Sequence, residues 1–169
     1  MSVNHTRKIV YLGLMVGIAM GLHIFESIIP IPTPVPGAKL GLANIAALYV
    51  IIRFGSKEAT AVTIVRTVLG SMFGAGLFTP TFYLSFFAGL VSTLAMGICY
   101  RLWSKHFSII GLSTLGALIH NLTQLTVVSF MYDHIGYFTT LPYLLFFALP
   151  TGFFVGIVTQ QLINKIPSH

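Results

Sequence analysis

Seven polar side chains stand where an otherwise apolar chain has little use for them, and their types suggest a binding site. His120, Asn121 and Gln124 fall within "HNLTQ". A separation of four puts His120 and Gln124 on one helical face, with Asn121 beside it. Glu26 closes a first apolar run, Lys39 and Asn44 flank the start of a second, and Arg66 interrupts a third. An ionisable residue inside a bilayer costs about 2.5–3.5 kcal/mol on insertion scales, so each needs a partner or a purpose. Lys39 and Arg66 would attract a carboxylate or phosphate, and His120 would orient a ligand or bind a metal it carries, such as haem iron. A structural reading stands beside this one. Glu26 would neutralise Lys39 or Arg66, and the amides and imidazole would serve as interhelical glue. His23 and His134 read as interfacial.

The elements that must carry these residues follow from composition. Of 169 residues, 56% are hydrophobic and 7% charged, against about 25% charged in a soluble domain. So few charges cannot cover a water-facing surface, so the chain reads as one integral membrane domain, residues 1–169, in contact with the lipid bilayer. A run from Ile9 to Ile29 is too long for a signal-peptide core and reads as a first membrane helix. The single Cys99 rules out an internal disulfide or a cysteine-based metal cluster and reads as packing. The net charge of +6 sits in short loops, where the bias of basic residues toward the cytoplasm explains it without nucleic acid.

Crossing a hydrocarbon core takes roughly 20 helical residues. Six segments are expected, at about 9–29, 40–52, 59–77, 81–102, 108–132 and 139–163. Arg7, Lys8, Arg53, Lys57, Arg101, Lys105 and Lys165 then gather on one side, the cytoplasm, with both termini; Lys39 and Asp133 fall opposite. The second segment is short. The stretch before it, "PIPTPVPGAKLGLAN", reads as a stiff outer gate in which Pro34, Pro36 and Gly37 shape the loop. On a rise of 1.5 Å per residue, Glu26 and His120 lie in the outer half and Arg66 deeper. Phe78, Phe82 and Tyr83, near the outer turn between the third and fourth helices, are placed to cover a flat aromatic ligand.

Gly13, Gly17 and Gly21 form a stripe on the first helix, and small residues at every fourth position admit a second helix at close range. The stripe reads as a docking face for a separate subunit. Gly70/Gly74 and Gly152/Gly156 read as packing within the chain.

The segments "RKIVYLGL", "ESIIP", "PGAKLGLANI", "IVRTVLGSMFG" and "LGALIHNLTQL" resemble the family labelled heptaprenyl diphosphate synthase component I, or Gx transporter family, along nearly the whole chain. Its six-helix plan is similar to that of the substrate-binding S components of energy-coupling factor (ECF) importers. That resemblance implies an all-α bundle in a cell membrane, that of a bacterium, which captures a vitamin- or cofactor-like molecule from outside. The implied partners are a coupling T subunit and two ATPase subunits, and the loop between helices 1 and 2 would gate the pocket. Gly13, Gly17 and Gly21 would dock the coupling subunit, occupying positions where S components usually carry alanine. Haem, flavin or quinone-like molecules are candidate cargo, with no resident cofactor or metal.

Catalysis is not expected. Prenyl diphosphate synthesis needs paired carboxylates to hold magnesium on the diphosphate. The three acidic residues here, Glu26, Glu58 and Asp133, are far apart in sequence, and a phosphate-binding loop for ATP is absent. Two other readings remain open. One is a membrane component of quinone or electron-transfer metabolism, and the other is a non-catalytic subunit associated with prenyl diphosphate synthesis.

Overall fold

A computed structural model describes residues 3–28, 39–74, 76–104 and 106–166. Pro34, Pro36, Gly37 and Lys105 lie outside the described residues. The described chain is helical throughout: α1 (Val3–Ile28), α2 (Asn44–Arg53), α3 (Ser56–Phe73), α4 (Pro80–Trp103), α5 (Ile109–Met131), a 3-10 segment (Ile135–Thr140) and α6 (Leu141–Lys165).

Local chemistry sets several of these boundaries. Thr79 caps α4 by accepting the Phe82 N–H, with Pro80 at the first helical position. Ser108 caps α5 by accepting the Gly111 N–H at 3.0 Å. The second helix starts at Asn44, four residues later than the apolar pattern predicts, because Gly41 takes φ +87° and the Asn44 N–H closes a turn onto the Gly41 carbonyl. The last segment is also divided, with one 3-10 stretch ahead of α6.

Among the described residues three helical stretches are long and apolar enough to cross a membrane: Thr6–Glu26, Pro80–Trp103 and Ile135–Lys165. The chain is a membrane protein. Its helices run alternately between two ends. Lys8 of α1 pairs with Glu58 of α3 at one end, where Arg53 also donates to the Ile163 and Ile166 carbonyls at the close of α6. At the other end Glu26, Gly41, His120 and Gln124 meet.

The short α2 is the hub. Residues 44–51 are all buried, and the helix packs against every other α-helix. A helix that is apolar all round belongs in an interior, and one shielded from lipid by its neighbours has no need to span the layer alone. Leu48, Tyr49, Val50 and Ile51 centre one core cluster with Met15, Ala19, Val62, Met96 and Leu112. Leu84, Leu125, Val128 and Leu144 form a second, toward the other end.

α5 and α6 are packed backbone to backbone. A Cβ on Gly152 would stand 2.6 Å from Thr114 Cα, and one on Gly156 would stand 2.6 Å from Ile110 Cα. This pair packs within the chain as expected. Gly70 also serves internally, by leaving room for the His23 ring of α1, whereas Gly74 ends α3 and is exposed.

Candidate functional site

The end of the bundle where α1 meets α2 carries an apolar interior broken by a polar cluster. Glu26, Lys39, Asn44, Arg66, His120, Asn121 and Gln124 are all buried. Four α-helices and the loop before α2 supply them.

The cluster begins with the main chain of residues 39–42. A loop entering a helix leaves backbone N–H groups that must find acceptors. The Glu26 carboxylate accepts two of them, from Gly41 at 2.6 Å and Leu42 at 2.8 Å. Gln124 takes Lys39 by both main-chain groups: its Oε1 accepts the Lys39 N–H at 3.3 Å, and its Nε2 donates to the Lys39 carbonyl at 3.2 Å. The same Nε2 lies 2.8 Å from His120 Nε2. Gly41 passes close over the ring, and a Cβ there would stand 3.1 Å from Asn44 Nδ2 and 3.5 Å from His120 Cδ2. The short loop is thus pinned from α1 on one side and α5 on the other, directly above His120.

The charges are arranged differently from a simple ion pair. Glu26 hydrogen-bonds to backbone, and among the described residues the pair within salt-bridge distance is Lys8–Glu58 at the opposite end. Arg66 reaches up from α3, and its Nη2 donates to Asn44 Oδ1 at 3.3 Å. Its long side chain carries the guanidinium to the level of the α2 start, higher than the backbone position of residue 66 suggests. Gly89 of α4 makes room for it, since a Cβ there would stand 3.0 Å from Nη2.

Two placements revise the sequence reading. Asn121 does not join the contact of His120 and Gln124 with the loop and donates instead to the Leu144 carbonyl at 2.9 Å, tying α5 to α6. His23 is not interfacial. It is 2% exposed, and its Nε2 lies 2.9 Å from Lys39 Nζ. The signal for this lay in the spacing of Met15, Ala19, His23 and Glu26, all buried on one face of α1. Ser85 is a second residue that sequence reasoning passed over. It is buried on α4, and its hydroxyl has no partner among the described atoms. His134 is exposed, as expected of an interfacial residue.

The opposite face of α1 carries Gly13, Gly17 and Gly21. All three are exposed, and a Cβ added at any of them meets nothing within 4 Å. Val10, Leu14, Ile18 and Phe25 border the same open surface.

A separate groove of about 600 Å³ lies toward the basic end between α4 and α5, lined by Ala95, Ile98, Cys99, Trp103, His106, Phe107, Leu115 and Ile119. It is almost wholly apolar and shares no residue with the cluster.

The family model described as heptaprenyl diphosphate synthase component I matches residues 15–162. The chain belongs to this family. No curated protein and no solved structure matches it. The matched part of the chain, residues 15–162, contains the whole polar cluster.

Proposed function

We propose that this chain is a non-enzymatic, substrate-capturing membrane subunit of an ECF-type importer, taking a vitamin- or cofactor-like small molecule from outside. The observation that carries this reading is the buried polar cluster beneath residues 39–42, which lead into α2. A ligand site combines apolar enclosure with a few convergent polar groups, and Glu26, Arg66, His120 and Gln124 supply them here. Residues 39–42 cover the cluster through hydrogen bonds that a moving loop can break and remake. Six crossings with both termini in the cytoplasm fit the alternation of the helices and the basic residues at one end.

The glycine face of α1 supports the coupling half of the reading. The glycines of α6 are used against α5, whereas Gly13, Gly17 and Gly21 remain open to a helix from another subunit. The placement of the three acids supports binding over catalysis. Glu26 holds a loop, Glu58 pairs with Lys8 at the far end and Asp133 is exposed after α5, three separate settings unlike the paired carboxylates that hold a metal-bound diphosphate. The family's description would then reflect an association with prenyl diphosphate synthesis.

The test is isolation of the tagged full chain from its native membrane in mild detergent, followed by mass spectrometry of the proteins and small molecules retained. A coupling membrane subunit and ATPase subunits should accompany the wild-type chain and be lost from a folded Gly17→Leu variant. Retention of a quinone with no ATPase subunit would favour the electron-transfer reading and overturn this one.

A further inference from the structure

We propose that the corner formed by Arg66, Ser85 and His120 is the seat of an oxyanion, the carboxylate or phosphate of the captured ligand. This rests on the capture reading above and assigns the chemical class of what is captured.

Three buried polar atoms have no hydrogen-bond partner there: Arg66 Nε, Ser85 Oγ and His120 Nδ1. They come from α3, α4 and α5 and gather about one turn of α4. Arg66 lies against Gly89, the His120 ring lies near Ala88, and Ser85 is one turn before them. Buried polar atoms in folded chains are nearly always satisfied, so three orphans around one turn call for a common partner.

All three have hydrogen to give. The arginine Nε–H can only donate, and a hydroxyl donates freely. For His120 the tautomer follows from Gln124. The Lys39 N–H requires the amide oxygen, which leaves the amide nitrogen to face both the Lys39 carbonyl and His120 Nε2. His120 Nε2 is therefore an acceptor, and the ring proton sits on Nδ1. A group with acceptors alone satisfies three donors at once, and a carboxylate or phosphate is such a group.

Charge leads to the same class. Arg66 is a buried cation, and the Glu26 carboxylate is engaged by the backbone N–H groups of Gly41 and Leu42. Glu58 is committed to Lys8 and Asp133 is exposed. The segment 29–38 contains no charged residue. Among the described residues no carboxylate stands within salt-bridge distance of Arg66, and a buried guanidinium favours an anionic partner.

The test uses the full chain in nanodiscs, with inorganic phosphate or acetate titrated against chloride at fixed ionic strength and the thermal midpoint recorded. A saturable rise with phosphate or acetate, absent with chloride, is expected; the anion that gives it tells phosphate from carboxylate. Arg66→Gln should weaken the apparent affinity by about tenfold, as loss of a charge-assisted hydrogen bond implies. Ser85→Ala removes a hydroxyl without an internal partner, so the variant should fold normally and bind severalfold more weakly. It carries the test if Arg66→Gln does not fold.

No saturable response to either anion, the result expected if ordered water fills the corner, overturns the proposal. An unchanged response in Ser85→Ala does so too, as does a nitrogen-15 spectrum placing the His120 proton on Nε2. A chain that keeps its ATPase partners but ignores both anions would refute this proposal and leave the importer reading standing. Anion binding without those partners would do the reverse.

Discussion

Gln124 holds Lys39 by both of its main-chain groups, across 85 residues of sequence, with hydrogen bonds of 3.3 and 3.2 Å. One amide thereby fixes the loop before α2, the tautomer of His120 and the position of the lysine at the cluster. Both bonds lie at the long end of the hydrogen-bond range.

Replacing Gln124 with Leu would remove the two hydrogen bonds it makes to the Lys39 N–H and carbonyl. Each lost pairing costs about 1–3 kcal/mol when the group stays buried. Hydrogen exchange should accelerate at the amides of residues 39–42 and remain unchanged in α6. Unaltered exchange at Gly41 and Leu42 would show that Glu26 alone holds the loop.

Gly41→Ala tests the same loop from the backbone side. At φ +87° an L-residue is strained by about 1–2 kcal/mol, and the new methyl would crowd Asn44 Nδ2 at 3.1 Å. A lower thermal midpoint and weaker ligand retention are expected. A variant as stable as the wild type would mean that residue 41 does not hold this conformation.

Glycines on the two exposed and buried stripes should behave oppositely. Gly152→Val drives a side chain into the α5 backbone at Thr114 and should destabilise the isolated chain by about 1–3 kcal/mol. Gly17→Val meets open space and should stay within about 0.5 kcal/mol of wild type. Thermal unfolding of the purified chain in one detergent compares them directly. Equal losses would mean that α1 packs inward on its glycine face.

The Lys8–Glu58 contact gives a pH signature at the basic end. The hydrogen bond from Lys8 holds the Glu58 carboxyl below its ordinary range. A depressed carboxylate contributes stability above its unfolded value and loses it as pH falls through the folded one, so the contribution should be present at neutral pH and fade below about pH 4. Both side chains are partly exposed, so Glu58→Gln should cost at most about 1 kcal/mol, and less in high salt. A cost that is the same at acid and neutral pH would rule this contact out as its source.

Much of the architecture was legible before any coordinates. A shortage of charge, apolar runs of spanning length and basic residues at alternate connections determine a membrane bundle, because lipid tolerates only backbone that satisfies itself. The buried polar residues were legible for the same reason: in so apolar a chain Glu26, Arg66 and the His120–Gln124 stretch stand out by cost. Sequence spacing could not tell which of them face one another. Asn121 sits one residue from His120, yet a rotation of about 100° per residue sends it to α6 while Gln124 returns to the loop. His23 looked like a surface residue because depth along a helix says nothing about which side of it is buried. Its membership of the cluster was decided by α3, where Gly70 leaves room for the ring. Ser85 carried no signal at all, since a serine is cheap to place anywhere on a helix. Only the approach of Arg66 and His120 to the same turn of α4 gives it meaning. Periodicity and cost act through the chain's own neighbours and are written in the sequence. The meeting of donors from three helices is set by packing between residues far apart in it, and only the tertiary structure decides that.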